Sequence, residues 1–391
     1  MLKSGPTIVQ IIPDLDTGGA ELSAIEIAGA ISATGGRAIV LSRGGRMETD
    51  LTAAGGELVR FPAATKNPAK ILANAFKIAD LLKREGAAIL HARSRAPAWS
   101  ALIAARRVGL PFVTTYHGAY NEKGPFKRLY NSVMARADLI IANSQYTADL
   151  VHARYGTPFS RIRVIHRGTD MERFDPAKIA AERVEALRQS WGLKPGEKAI
   201  LHPARLTSWK GQATVIAAAE RLKHQGALDG VVFILAGDAQ GREAYLEGLK
   251  AQIEAAGLHG TVRLVGHVSD MPAAFAASSG ALVASIEPEA FGRTATEAQA
   301  MGCPVIATAI GAPPETVKSG WLVRPADPLD LAEKLRILLS QGAEEASAFA
   351  AAGRAHVEAN FSLKAMKTKT LEVYDELISA GLAEAFRSSN G

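Results

Sequence analysis

The stretch ALVASIEPEAFGRTATEAQAMGCPVIAT, residues 281–308, decides the fold. The apolar run 281–284 is too short for a helix and reads as a buried strand. A polar loop with Glu287 and Glu289 follows, and Gly292 turns the chain. A short helix then carries Glu297 and is closed by Gly302. A second apolar run, 304–307, begins at once. Strand, helix and strand in this order make a β-α-β unit with parallel strands and a right-handed crossover.

The same alternation extends in both directions. In the first half, Val- and Ile-rich runs at 7–12, 37–41, 57–61, 87–91, 111–116, 138–142 and 162–165 read as buried parallel strands. Helical segments at 21–31, 68–83, 96–107, 126–135 and 145–155 separate them. Further strands are expected at 198–201, 231–236, 262–265, 281–284, 304–307 and 321–323, and helices from 329 onward, including 362–378. Between 170 and 195 the text is polar and helical without a strand, which places a junction there. At 391 residues the chain is too long for one comfortable core. The expectation is α/β: two Rossmann-like, doubly wound parallel-sheet domains, 1–175 and 176–365, facing across a cleft, with ligands at the carboxyl ends of the strands.

Hydrophobic residues at 48% and charged residues at 21% are ordinary for a globular protein and exclude disorder, collagen and coiled coil. One cysteine, Cys303, excludes an intrachain disulfide and fits a reducing compartment. Residues 1–6 lack an apolar core with a small-residue cleavage site, so no secretory signal is expected. No apolar run approaches the ~18 residues that span a bilayer. The expected location is cytoplasmic, including a peripheral position on the inner face of the cytoplasmic membrane. Residues 1–180 carry 24 Lys and Arg against 15 Asp and Glu, and the remainder 21 against 24. A basic half suits an anionic membrane surface or an acidic glycolipid; solvated charge on helix backs is the alternative. No nucleic-acid-binding motif is present, so no nucleic-acid partner is expected. Arg93, Arg95, Lys123, Lys127 and Arg128 are the basic residues expected on the acceptor side.

Four motifs carry chemistry. Pro13 to Glu21, with Gly18-Gly19, is a strand-to-helix turn whose backbone could approach a ligand; a simple tight turn reads equally well. His117 stands at a strand's carboxyl end, as a structural or a catalytic residue. Arg205 and Lys210 flank another strand-to-helix turn, where both could reach a diphosphate over the helix start. Glu289 and Glu297 are eight residues apart around a helix start, and carboxylates next to an anion site are electrostatically odd unless they bind hydroxyls. For Glu297 a capping box with Thr294 is the alternative.

The stretch from Glu289 to Glu297 resembles the E-x7-E signature of retaining glycosyltransferases, in particular glycosyltransferase family 4, the glycosyl transferases of group 1 with the GT-B fold. The Gly18-Gly19-Ala20-Glu21 turn, Ile165 to Asp170 with Phe174, Arg205 with Lys210, and Gly311-Ala312-Pro313-Pro314-Glu315 look like further family motifs in the expected order. The resemblance covers residues 6 to 324, and it implies that the terminal helix, 366–391, crosses back to the first domain. It implies an enzyme, a retaining, metal-independent hexosyltransferase, using a UDP-, GDP- or ADP-sugar as substrate and no cofactor. The acceptor is then a hydroxyl of a glycan or glycolipid, with the lipopolysaccharide core or another cell-envelope glycan among the candidates. The first domain would bind acceptor and the second the donor.

By the same resemblance, Glu289 would bond the transferred sugar, helped by backbone N–H groups around Phe291, Gly292, Arg293 and Thr294. Glu297 would bond the ribose. Arg205 and Lys210 would hold the diphosphate, approached by Gly18 and Gly19. His117 would sit beside the sugar, and Gly266-His267-Val268 would pass the base. No metal ligands are expected. Arg167 departs from the family's usual Asn, Ala312 from a second Gly, and Asp238-Ala239-Gln240-Gly241 from a Gly-rich turn. These leave base and sugar open. A nucleotide-sugar 2-epimerase or hydrolase of the same fold, an NAD-dependent oxidoreductase and a silent binding subunit are the rival readings. The oxidoreductase would need a G-x-G-x-x-G after a first strand, which neither half shows.

Overall fold

The computed structural model describes residues 5–16, 18–118, 120, 122 and 124–389. Residues 1–4, Thr17 and Lys123, all singled out above, lie outside these. The chain divides into two units, 1–168 with 364–391, and 169–363. The divisions therefore fall after Gly168 and Leu363 rather than after 175 and 365. Thr169 already belongs to the second unit because it bridges Ser362 and donates from Oγ1 to Thr296 at 2.9 Å.

The first unit runs β1 (Thr7–Ile11), α1 (Gly19–Ala33), β2 (Arg37–Ser42), α2 (Glu48–Ala53), β3 (Gly56–Arg60), α3 (Pro68–Arg84), β4 (Ala87–Ala92), α4 (Arg95–Val108), β5 (Phe112–Tyr116), α5 (Pro125–Asn131), β6 (Leu139–Ala142), α6 (Gln145–Tyr155) and β7 (Ile162–Val164). Its sheet has the order β3-β2-β1-β4-β5-β6-β7 with every pair parallel. Local chemistry sets the helix ends. The side chain of Asn67 accepts from the N–H groups of Ala69 and Lys70, and Pro68 opens α3. Gly109 and Gly156 close α4 and α6 in the left-handed conformation. The helix expected over 126–135 divides into α5 and a tighter 3-10 turn, Ser132–Ala135, which seats Val133 and Met134 in the core.

The second unit runs α7 (Ala181–Ser190), β8 (Lys198–Pro203), α8 (Gln212–His224), β9 (Val231–Ala236), α9 (Glu243–Ala255), β10 (Val262–Gly266), α10 (Met271–Ala276), β11 (Gly280–Val283), α11 (Arg293–Ala300), β12 (Val305–Thr308), α12 (Pro313–Thr316), β13 (Gly320–Val323), α13 (Pro328–Ser340) and α14 (Ala343–Phe361). Its parallel sheet has the order β10-β9-β8-β11-β12-β13. Two apolar cores are packed around that sheet. The last helices, α15 (Leu363–Ile378) and α16 (Leu382–Ser389), return to the first unit. There the Tyr374 hydroxyl meets His91 Nδ1 at 2.8 Å, and Arg163 pairs with Glu376. Strand order reverses between β1 and β4 in the first sheet and between β8 and β11 in the second. Such reversals open a crevice at the strands' carboxyl ends.

Candidate active site

In the second unit, the chains leaving β8 and β11 converge at that reversal. After β8 a 3-10 turn, Ser208–Lys210, leads to Gly211, whose φ of 78° is left-handed. A Cβ on Gly211 would stand 1.9 Å from the Ala284 carbonyl oxygen, so only glycine lets the turn lie on the chain leaving β11. The N–H of Ile286 donates to the Trp209 carbonyl at 2.8 Å and fastens the two segments. Glu289 is fixed from the other side. Its carbonyl accepts from the Ala312 N–H at 2.9 Å, and Gly311 (φ 84°) packs so closely that a Cβ would be 2.2 Å from that oxygen.

This scaffold brings Lys210 and Glu289 together. The Lys210 ammonium donates to Glu289 Oε1, and the Ser285 hydroxyl donates to the same oxygen at 2.6 Å. Glu289 is only 9% exposed, and a carboxylate so buried needs such partners to remain charged. The Lys210 ammonium also lies over the Trp209 ring, 4.2 Å from its centre. Beneath it, buried His202 places Nε2 3.0 Å from the Lys210 carbonyl and Nδ1 3.0 Å from that of Leu282. Burial first, and then the Lys210 charge, push this imidazole down to about 4.

The Arg205 side chain is exposed, and its carbonyl accepts from Gln212 Nε2 at 2.9 Å. Gly292, with φ 78°, is the N-cap of α11, and no side chain caps that helix. The Thr294–Glu297 capping box is therefore corrected: Thr294 is the second residue of the helix, past the terminus a box would close. Glu297 instead lies 3.5 Å from Arg293, one helical turn before it. The Phe291 ring is buried edge-on against Phe361, with centres 5.9 Å apart. Gly266 and His267 are exposed, and Val268 leans on the core. His267 Nδ1 is 3.9 Å from Asp238.

The first unit holds Gly18, Gly19 and His117. Gly19 opens α1, and a Cβ there would stand 2.0 Å from Arg167 Nη1, so the guanidinium lies against the helix start. Arg167 Nη2 donates to His117 Nδ1 at 3.1 Å. His117 Nε2 is buried without a hydrogen-bond partner among the described residues. Burial, then the charges of Arg167 and Arg93, hold this imidazole well below the usual histidine range. Arg93 is corrected: it is 3% exposed and donates to Gln10 at 2.8 Å inside the unit, and so does not face an acceptor from the surface. Arg95 donates to Asn131 at 2.7 Å and stacks on Tyr120, while Lys127 and Arg128 are exposed.

Among the described residues, no group of three or more His, Cys, Asp or Glu is placed to hold a metal ion. None of the described helices is long and apolar enough to cross a membrane. Sequence reasoning missed Ser285 and His202. A single serine or histidine at a strand end has no spacing that marks it; both gain meaning only from the crossing of the two chains.

The sequence matches two family models: "Glycosyltransferase Family 4" over residues 17–173 and "Glycosyl transferases group 1" over 183–356. Among curated proteins it is similar to a D-inositol 3-phosphate glycosyltransferase of Salinispora arenicola, 30% identical over 302 residues that cover 71% of this chain and 66% of that one. The chain thus spans just under two thirds of that relative's length. Among solved structures it is similar to a glycosyltransferase from Rickettsia africae, with 35% identity, a TM-score of 0.88, and 96% and 99% of the two chains covered. Anabaena HepE in complex with UDP-glucose is also similar, with 25% identity, a TM-score of 0.81, and coverage of 95% and 100%.

Proposed function

Because the chain belongs to the group 1 glycosyltransferases of the GT-B fold, we propose that it moves a sugar from a nucleotide-diphosphate sugar to a hydroxyl of a glycan or glycolipid. In this reading the configuration is retained and no metal or cofactor takes part. The observation that carries it is the Lys210–Glu289–Ser285 cluster. Both donors act on Glu289 Oε1, which leaves Oε2 to accept from hydroxyls of the transferred sugar. The uncapped start of α11 and the cations Lys210 and Arg205 suit a diphosphate, whose charge grows as the glycosidic bond breaks. Glu297 takes the ribose. The acceptor hydroxyl attacks from the face that the leaving group vacates.

The UDP-glucose bound by HepE supports a UDP-sugar donor. A thermal-shift panel of UDP-, GDP- and ADP-sugars tests this. A true donor at 100 times its dissociation constant adds about 2.7 kcal/mol of stability. A panel with no shift at any concentration would remove the donor site.

The first unit supports an acidic acceptor presented at a membrane surface. α3 exposes Leu72 and Phe76, and α5 exposes Phe126, at 87%, and Leu129. Lys70, Lys77, Lys127 and Arg128 are exposed on the same helices. Apolar tips among cations suit an anionic interface. Vesicles containing phosphatidylglycerol should bind the protein, less as salt rises because the Debye length is about 10 Å at 0.1 M. Phe126→Ser with Lys127→Glu should weaken binding. Equal binding to neutral vesicles would exclude the charge-based reading.

A further inference from the structure

We infer that Arg167 is a positioning residue that locks His117 in one tautomer, with its proton on Nε2, so that His117 meets the reacting sugars as a neutral hydrogen-bond donor and not as a base. The inference rests on the transferase reading for its consequence, but not for the tautomer itself.

A guanidinium has only donors, so the 3.1 Å contact from Arg167 Nη2 makes Nδ1 the acceptor and leaves Nε2 with the ring proton. That N–H is buried and has no partner among the described residues. A buried donor left unpaired is costly, and the cost is recovered when a bound oxygen accepts from it. The charged and titratable groups acting on the ring are Arg167 and Arg93, both cations, with neutral His91 behind them. Burial and both cations oppose a second proton on His117. Gly19 completes the device, because any side chain there would occupy the position of Arg167 Nη1. The clash would be with the far end of a flexible side chain, so a Gly19→Ala protein should fold and displace the guanidinium.

The test combines a spectrum with a rate. In the parent protein, 15N spectra of the histidine rings should show His117 protonated on Nε2 and unchanged between about pH 5.5 and 8, a range that spans the ordinary titration near 6.5. Arg167→Met and Gly19→Ala should each give a tautomer mixture that takes up a second proton as pH falls. Both should lower turnover at saturating donor by about tenfold or more, and make it fall further at acid pH. Arg167→Lys, which again offers only donors, should restore the parental tautomer and most of the rate. A parental His117 that carries its proton on Nδ1, or titrates near 6.5, overturns the lock. Unaltered turnover and pH profile in Arg167→Met, despite a changed tautomer, overturns its role in transfer. Should the parent transfer no sugar at all, the functional reading fails, while the spectrum still decides the tautomer.

Discussion

A carboxylate that is 9% exposed is an unusual group to find beside a helix start, and the energetics of Glu289 depend on which partner is removed. Glu289→Gln keeps a hydrogen bond from Ser285 but loses the charge that holds Lys210. Transfer should drop by about 10²–10³ while affinity for the free nucleotide stays near parental, as measured by calorimetry beside initial rates. Parental rates would move the sugar subsite elsewhere. Lys210→Ala should cost a similar factor in turnover at saturating donor, because its charge is most needed as the diphosphate leaves. Activity of the parent in EDTA should persist; loss restored by magnesium would contradict a cation-only site. At this scale the sequence was informative where two charged residues recur at a set spacing. It was silent on Ser285, whose only distinction is to face Oε1 across a loop.

Elements were readable where the apolar period was strong and unreadable where a short segment buries little. α2 buries only Leu51, so nothing in its composition announced a helix. The alternative of a capping box fails for a similar reason: Thr294 and Glu297 have the right spacing, but the chain turns earlier, at Gly292, whose positive φ caps a helix that starts at Arg293, one residue before Thr294. Gly311 shows what a loop glycine can do for a site. Gly311→Ala would pay for a left-handed backbone and also press a Cβ within 2.2 Å of the Glu289 carbonyl. Gly292→Ala pays only the first cost, since nothing lies within 4 Å of its Cβ. Both should lower stability in urea unfolding, Gly292→Ala by about 1 kcal/mol and Gly311→Ala by about 2–3 kcal/mol. Gly311→Ala should also reduce transfer at temperatures where it is folded, because the clash displaces Glu289. Equal losses from the two substitutions would mean that the backbone conformation, and not the close approach, is what requires glycine.

Across the described residues, the buried His91 and His202 and the half-buried His117 set how stability responds to acid. His91 has a hydroxyl partner on each side, Tyr374 at 2.8 Å and Thr115 at 2.7 Å, so its neutral ring is fully satisfied. His202 faces two carbonyls and would gain a bond from protonation, yet burial outweighs that gain and holds it at about 4. Burial likewise holds His91 and His117 well below the ordinary range. The unfolded chain takes up these protons near pH 6.5, whereas the fold refuses them. The unfolded state therefore binds more protons below that pH, and stability must fall as pH falls, for His202 between about 6.5 and about 4. For His202 alone the completed loss is about 3 kcal/mol, of which about 2 kcal/mol is reached by about pH 5. The carboxylates whose values are lowered, Glu57, Glu85, Asp138 and Asp327, weaken the fold only at more acidic pH, below their ordinary values of 4.5 for the glutamates and 3.8 for the aspartates. The window from about pH 6.5 to 5 thus belongs mainly to the histidines. Urea midpoints measured across it should decline steadily, and His202→Asn, though less stable at neutral pH, should decline less. A midpoint that holds constant over that window would show that the folded protein accepts these protons, and that the histidines are not held neutral by burial.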